Sequence, residues 1–298
     1  HFGKTPPCSE LIIRNHIPTV VIGCRDPFEP NYSGGPSEKG IEKLIANGVE
    51  VISGILEKEC LQINNRFFTF HTEHRPYIVL KWAQTLDGYI ARTLDETFDG
   101  NTGKEKDMLQ QRLLISNSMT NRMVHKWRSE EMSILVGTNT AVMDDPELSN
   151  RLWPGKSPIR LVIDRELVLP SSMNLLNGRQ TTIVFNLKKH TLDEKASVSS
   201  LVPGNIYYYQ VSEDTNLVHQ VMHALYQMQI QSVLIEGGAK LLQSFIDDGS
   251  WDEARVITNN ELTVTNGLPA PKLSDHLLIS TTGILTDTIH TYRRIIRS

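Results

Sequence analysis

Between Tyr77 and Thr258 one pattern recurs, and it restricts the fold more than any other feature. Short unbroken apolar runs, "YIVLKWA", "SILVG", "IRLVID", "TTIVF", "NIYYYQV", "SVLIE" and "EARVIT", are separated by polar turns and amphipathic stretches such as "MTNRMVHKWRSE", "LVHQVMHALYQMQI" and "AKLLQSFIDDG". A strand with one wet face alternates apolar and polar residues, whereas a continuous apolar run is covered on both faces. Helices lying between such strands supply the cover. The pattern predicts an α/β fold with a mostly parallel sheet. "HLLISTTGILTDTIHTYRRI" reads as two closing strands with Gly283 between them, which predicts antiparallel edge strands.

The preceding stretch has its own α/β pattern. A short strand at Thr19 to Gly23 is stopped by a turn at Asp26-Pro27. "PSEKGIEKLIANG" reads as a helix with Ser37 as N-cap and Gly48 as stop, "VEVISGI" as a second strand, and "EKECLQINNRFF" as a second helix. Polar "HTEHRP" separates the two regions, so the expected domains are residues 1–74 and 75–298.

A net charge of −4 over 298 residues gives no sign of a nucleic-acid or anionic-membrane surface. No apolar run approaches the roughly 20 residues that span a bilayer. The three cysteines, Cys8, Cys24 and Cys60, are an odd, sparse set. They argue against a disulfide scaffold and for a reducing compartment, so a cytoplasmic protein is expected.

Four stretches carry residues suited to chemistry. In "SVLIEGGAKLLQSF", Glu236 ends an apolar strand and Gly237-Gly238 opens a helix, whose free N–H groups suit a phosphate. A plain tight turn is the alternative. "SILVGTNTAVMDDPELSNR" follows a strand with Thr140, Asp144, Leu148 and Arg151. Hydroxyl and carboxylate beside a glycine suit a ribose or amide, and the arginine fork suits a phosphate; a solvated, Asx-capped turn is the alternative. "VHKWR" places Arg128 near a helix end, where an arginine also serves as a dipole partner. Lys81 lies inside the apolar run "YIVLKWA". A cation there is costly unless paired or functional, or unless it snorkels from an edge strand. Together the four stretches suit an enzyme that handles a phosphorylated, polyol-like substrate with a dinucleotide. G-x-G-x-x-G and P-loop motifs are both absent from the sequence.

The chain resembles the bifunctional deaminase–reductases of riboflavin biosynthesis. "HFGKTPPC" is similar to their zinc-deaminase segment, and "RPYIVLKWAQTLDG", "ISN…VHKWR", "ILVGTNTAVMDDPEL" and "VLIEGG" are similar to their reductase domain in order and spacing. The resemblance implies a partial cytidine-deaminase-like domain followed by a dihydrofolate-reductase-like domain. It implies NADPH as cofactor and a phosphorylated pyrimidine, 5-amino-6-(5-phosphoribosylamino)uracil, as substrate, with a homo-oligomer as the expected assembly. Ala83, Thr140, Asp144 and the run Gly238, Ala239, Lys240, Leu241, Leu242, Gln243 and Ser244 match cofactor-binding positions. Lys81, Arg128, Leu148, Arg151 and Glu236 match substrate-side positions, with the arginines on the substrate phosphate and Glu236 on ribose hydroxyls. Lys81, Asp144 and Glu236 are the candidate catalytic residues, Lys81 or Asp144 supplying a proton.

Cys8 matches the last zinc ligand of the deaminase, whose upstream His, Glu and first Cys have no counterpart in the sequence. A chain cut inside the deaminase is therefore expected, with zinc confined to the full-length protein. Two departures flank the expected cleft: Leu114 and Arg112 replace a family Trp and Ser, and "TLDETFDGNTGKEKDMLQQ" lengthens the connection after Gly88. The competing readings are a non-catalytic ligand-binding or oligomerisation module of the same fold, and a pterin reductase. A pterin has no phosphate, which the two arginines speak against.

Overall fold

A computed structural model describes residues 8–25, 36–92, 113–193 and 196–295. The chain divides into two compact units, His1–Arg75 and Pro76–Ser298. The turn expected at Asp26-Pro27, Arg112 and the long insertion lie outside the described residues.

In the first unit, helix α1 (Cys8–Arg14) precedes strand β1 (Thr19–Ile22), helix α2 (Pro36–Ala46) and strand β2 (Glu50–Ser53). β1 and β2 pair in parallel. α2 begins at Pro36, so Ser37 falls inside its first turn and is not the N-cap. Gly48, at φ 80°, ends it as expected. The expected second helix is two, α3 (Glu57–Ile63) and α4 (Asn65–Thr72), broken at Asn64. The Asn64 side chain donates to the Cys60 carbonyl at 2.8 Å, competing locally with the helix ladder.

The second unit follows chain order as β3 (Tyr77–Gln84), β4 (Tyr89–Arg92), α5 (Ser118–Glu130), β5 (Ser133–Gly137), α6 (Thr138–Asp144), β6 (Ile159–Ile163), β7 (Thr182–Asn186), β8 (Ile206–Gln210), α7 (Leu217–Gln227), β9 (Ser232–Glu236), α8 (Ala239–Asp247), β10 (Glu253–Asn259), β11 (Gly267–Pro269), β12 (His276–Ile284) and β13 (Asp287–Arg294). Nine strands form one sheet in the order β12-β13-β10-β3-β9-β5-β6-β7-β8. All seven strands from β10 to β8 run parallel, and β13 and β12 add antiparallel at one edge. The closing hairpin turns at Leu285-Thr286, two residues beyond the expected Gly283, which lies inside β12. Leu285 takes φ 52° to make that turn. β4 and β11 form a separate two-stranded ribbon that the sequence pattern did not suggest.

The central strands are buried on both faces, and each face has its own core. Ile78, Leu80, Val233 and Ile235 join α7 and α8 residues such as Leu225 and Phe245. Tyr77, Val79 and Leu234 join Val124 and Trp127 of α5 and Ala141 of α6. Strand residues alternate between the two layers, so Lys81 and Glu236 project to the α5 side.

Candidate active site

β3 and β9 are neighbours in register, with Lys81 opposite Glu236 at their carboxyl ends. α5 carries Arg128 onto the same spot. Asn117 starts that helix, its side chain accepting the Met119 and Thr120 N–H groups. The Arg128 fork grips Glu236 at both oxygens, Nε to Oε1 and Nη2 to Oε2, each at 2.8 Å. Lys81 Nζ lies 3.6 Å from Glu236 Oε2. The three side chains are only 9–13% exposed.

Such burial has large electrostatic consequences. It would raise the Glu236 carboxyl, but Arg128 and Lys81 overcome it and hold the group at about 2. Burial also opposes the charge on Arg128, and Glu236 more than compensates, so that guanidinium is raised. Lys81 goes the other way: burial lowers its ammonium below the usual range, Arg128 adds to the fall, and Glu236 and Asp144 only partly offset it. The site therefore holds a fixed carboxylate, a fixed guanidinium and one amine that gives up its proton more readily than usual.

The strand–helix junction after Glu236 is tight. Gly237 and Gly238 have φ of 97° and 76°, a region costly for other residues. A Cβ on Gly237 would stand 3.0 Å from Thr140 Cγ2, and one on Gly238 would stand 3.3 Å from Thr140 Oγ1. α6 thus presses the Thr140 side chain against both glycines, at the start of α8. The first amides of α8 have no carbonyl partner within the helix.

The other expected residues are placed as follows. Ala83 is half-buried on β3, on the Lys81 side. Asp144 ends α6, and its charge acts on Lys81. Leu148, at φ 47°, turns its side chain into the core. Ala239, Lys240 and Leu241 form the first turn of α8. Leu242 is buried and its amide donates to the Gly238 carbonyl. The Gln243 side chain binds both the Lys272 backbone N–H and carbonyl, and Ser244 Oγ donates to the Leu241 carbonyl. Gln243 is thus held by the segment at Lys272 and Ser244 by its own helix, while Leu241 packs against the core, so Gly238, Ala239 and Lys240 make up the amino-terminal entry of α8. The structure also separates the two arginines. Arg128 is turned inward, with Nη1 donating to the Ser149 carbonyl at 3.2 Å. Arg151 is 54% exposed and pairs with Glu147 at 2.6 Å. Leu114 is exposed.

The RibD C-terminal domain profile matches residues 76–260. The chain belongs to the RibD C-terminal domain family. The riboflavin biosynthesis protein RibD of Aquifex aeolicus is 38% identical over 254 residues, which cover 85% of this chain and 64% of that protein. RibD of Bacillus amyloliquefaciens is 32% identical, over 85% of this chain and 62% of its own length. The chain therefore spans less than two thirds of these relatives. Among solved structures, the diaminohydroxyphosphoribosylaminopyrimidine deaminase/5-amino-6-(5-phosphoribosylamino)uracil reductase of Thermotoga maritima superposes with a TM-score of 0.78 at 29% identity, over 99% of this chain and 76% of that one.

Two side chains near the centre of this RibD C-terminal domain escaped the sequence reading. His125 is 1% exposed and accepts the Arg151 backbone N–H at Nδ1, 3.0 Å away. Burial, then the Arg128 and Arg151 cations, push its imidazole down to about 4. Arg255 on β10 sits opposite Lys81 on the side away from Glu236, and stacks over the Trp127 ring at 4.9 Å. The His125 signal was present as a histidine three residues before Arg128 in "VHKWR", hence on the same helix face. Arg255 gave none, because its relation to Lys81 depends on β10 being inserted beside β3.

In the first unit, Cys8 is exposed at the start of α1. Among the described residues no three His, Cys, Asp or Glu side chains gather as a metal site. No helix among them is long and apolar enough to cross a membrane.

Proposed function

We propose that residues 76–298 form an NADPH-dependent reductase of riboflavin biosynthesis acting on 5-amino-6-(5-phosphoribosylamino)uracil, in a protein whose complete form also deaminates the pyrimidine. The observation that carries this reading is the buried Lys81–Glu236–Arg128 cluster at the carboxyl ends of adjacent parallel strands, beside the Gly237-Gly238 turn. Ligands of open α/β sheets bind at that end.

The residues present fit a dinucleotide. Neither glycine has room for a Cβ beside Thr140, so only bare backbone fits at this turn, and the α8 amino terminus offers N–H groups to a phosphate. Gly238, Ala239, Lys240 and Thr140 would hold NADPH, with Ala83 and Asp144 lining its path. NADPH, when bound, supplies a hydride. Conversion of the ribosyl group to ribityl adds that hydride at the sugar C1, breaks the bond from C1 to the ring oxygen, and gives the ring oxygen a proton. Lys81 is the group suited to deliver the proton, since burial weakens its hold on it. Glu236 keeps Lys81 and Arg128 in place and shares Oε2 with a ribose hydroxyl. Arg151, whose guanidinium is exposed and paired with Glu147 at the surface, turns to the substrate phosphate.

The first unit does not present a zinc ligand set among its described residues, so no deamination step is derived from Cys8. We also propose a homo-oligomer in the cytoplasm. Its support is the outer strand β12, exposed along most of its length, and the odd, sparse set of three cysteines in the sequence.

The test is loss of NADPH absorbance with the phosphorylated substrate, its dephosphorylated analogue, and dihydropterin. Turnover with the first, at a KM well below that of the second, is expected. No turnover with the first, or preference for the pterin, overturns the reading.

A further inference from the structure

Helix α5 meets the chain after α6 at two backbone atoms. Arg128 Nη1 donates to the Ser149 carbonyl at 3.2 Å, and His125 Nδ1 accepts the Arg151 N–H at 3.0 Å. His125 and Arg128 are three residues apart, on one helix face. Between their two contacts, the Asn150 N–H donates to Ser157 Oγ at 3.0 Å. Three successive residues are thus tied down by backbone, while among the described residues the Arg151 guanidinium is held only by Glu147 and Ser149 at the surface. A fixed backbone under a movable charged head is what a phosphate clamp needs, because the ordering cost of the main chain is met before the ligand arrives.

We propose that His125 is a positioning residue: its neutral imidazole, with Nδ1 turned to the Arg151 amide and the proton on Nε2, fixes the backbone from which Arg151 is presented to the substrate phosphate. The tautomer follows from the bond, since Nδ1 accepts there. A carbonyl oxygen in the same place would serve equally, and an apolar side chain would not. The inference rests on the phosphate role of Arg151 proposed above.

The experiment compares His125→Asn, whose Oδ1 stands near the place of Nδ1, with His125→Leu, which has no acceptor. Amide hydrogen exchange at Arg151 is read first. The wild type and His125→Asn should be similarly protected, and His125→Leu should lose at least tenfold in protection. Ribose 5-phosphate affinity and substrate KM should worsen at least tenfold in His125→Leu, with kcat and NADPH affinity within about threefold, and recover in His125→Asn. A general packing defect would lower kcat and NADPH affinity as well, and asparagine would not repair it. Unchanged Arg151 protection in folded His125→Leu overturns the clamp, as does a His125→Asn variant no better than the leucine variant. Arg151→Ala separates the two ideas. If it leaves ribose 5-phosphate binding unchanged while His125→Leu still frees the amide, the phosphate reading of Arg151 fails and the backbone anchor survives.

Discussion

Glu236 is the residue on which the buried charges depend. Its two oxygens satisfy the Arg128 fork, and Lys81 lies close to one of them. Removing one partner of a buried cluster leaves the others uncompensated, which costs about 3 kcal/mol or more. Glu236→Gln should therefore lower stability by that order as well as slow turnover, so urea unfolding must accompany kinetics. A variant as stable as the parent would show that the two cations are solvated after all. Lys81→Met removes a cation whose own burial is unfavourable, and should cost far less stability while abolishing turnover and sparing NADPH binding. His125 adds a pH dependence. Its folded value is about 4, against about 6.5 in the unfolded chain, so the unfolded chain binds the extra proton first. The stability it contributes is complete above pH 6.5 and is lost as pH falls towards 4. Glu236, held at about 2, loses its contribution in a lower window, from about pH 4.5 downwards. The urea midpoint of the parent should fall between pH 7 and 4.5, and that of His125→Asn should fall measurably less. Equal falls would mean that the imidazole is not held neutral.

At the scale of elements, the junction of β9 and α8 was legible in the sequence as Glu-Gly-Gly between an apolar run and an amphipathic one. What the run could not show was Thr140, which reaches it from α6, more than ninety residues away in the chain, because β5 is inserted beside β9. The positive φ at Gly238 adds a constraint that space alone does not. Any side chain there is strained by about 1 to 2 kcal/mol. Gly238→Ala should show that loss in thermal unfolding, and weaken NADPH at least tenfold by fluorescence titration, because its Cβ crowds Thr140 Oγ1 at 3.3 Å and shifts the turn that opens α8. A folded variant that binds NADPH like the parent would make the turn purely structural. The continuous apolar runs were legible for the same reason that they are central: burial on both faces leaves no room for alternation. The β4–β11 ribbon was not, since "GLP" and "YIAR" are too short to carry a period. The break at Asn64 was hidden because a side chain competing with the helix ladder leaves the apolar spacing unchanged.

Across the whole molecule, the nine-stranded sheet ends in two unlike edges. β8 is partly covered along most of its length, whereas β12 is exposed at every residue but the last. Leu277, Leu278 and Ile279 are 46–56% exposed in succession, and the strand contains no Asp, Glu, Lys or Arg. Proteins commonly block such an edge with lysine, proline or a very short strand. Here the single irregularity is a shift of register between Leu278 and Ser280, within a strand of nine residues. Among the described residues no strand of this chain pairs with the outer side of β12. A second copy related by a two-fold axis would pair β12 with itself antiparallel, bringing apolar side chains together and no like charges, and would close the assembly at two. Leu278→Lys places a charge within the apolar run of that edge. It should shift sedimentation equilibrium from dimer towards monomer while leaving NADPH affinity unchanged, since the substitution lies on a strand separated from β3 by β13 and β10. A parent that sediments as a monomer, or a lysine variant that stays dimeric, would show that β12 is not the contact between copies.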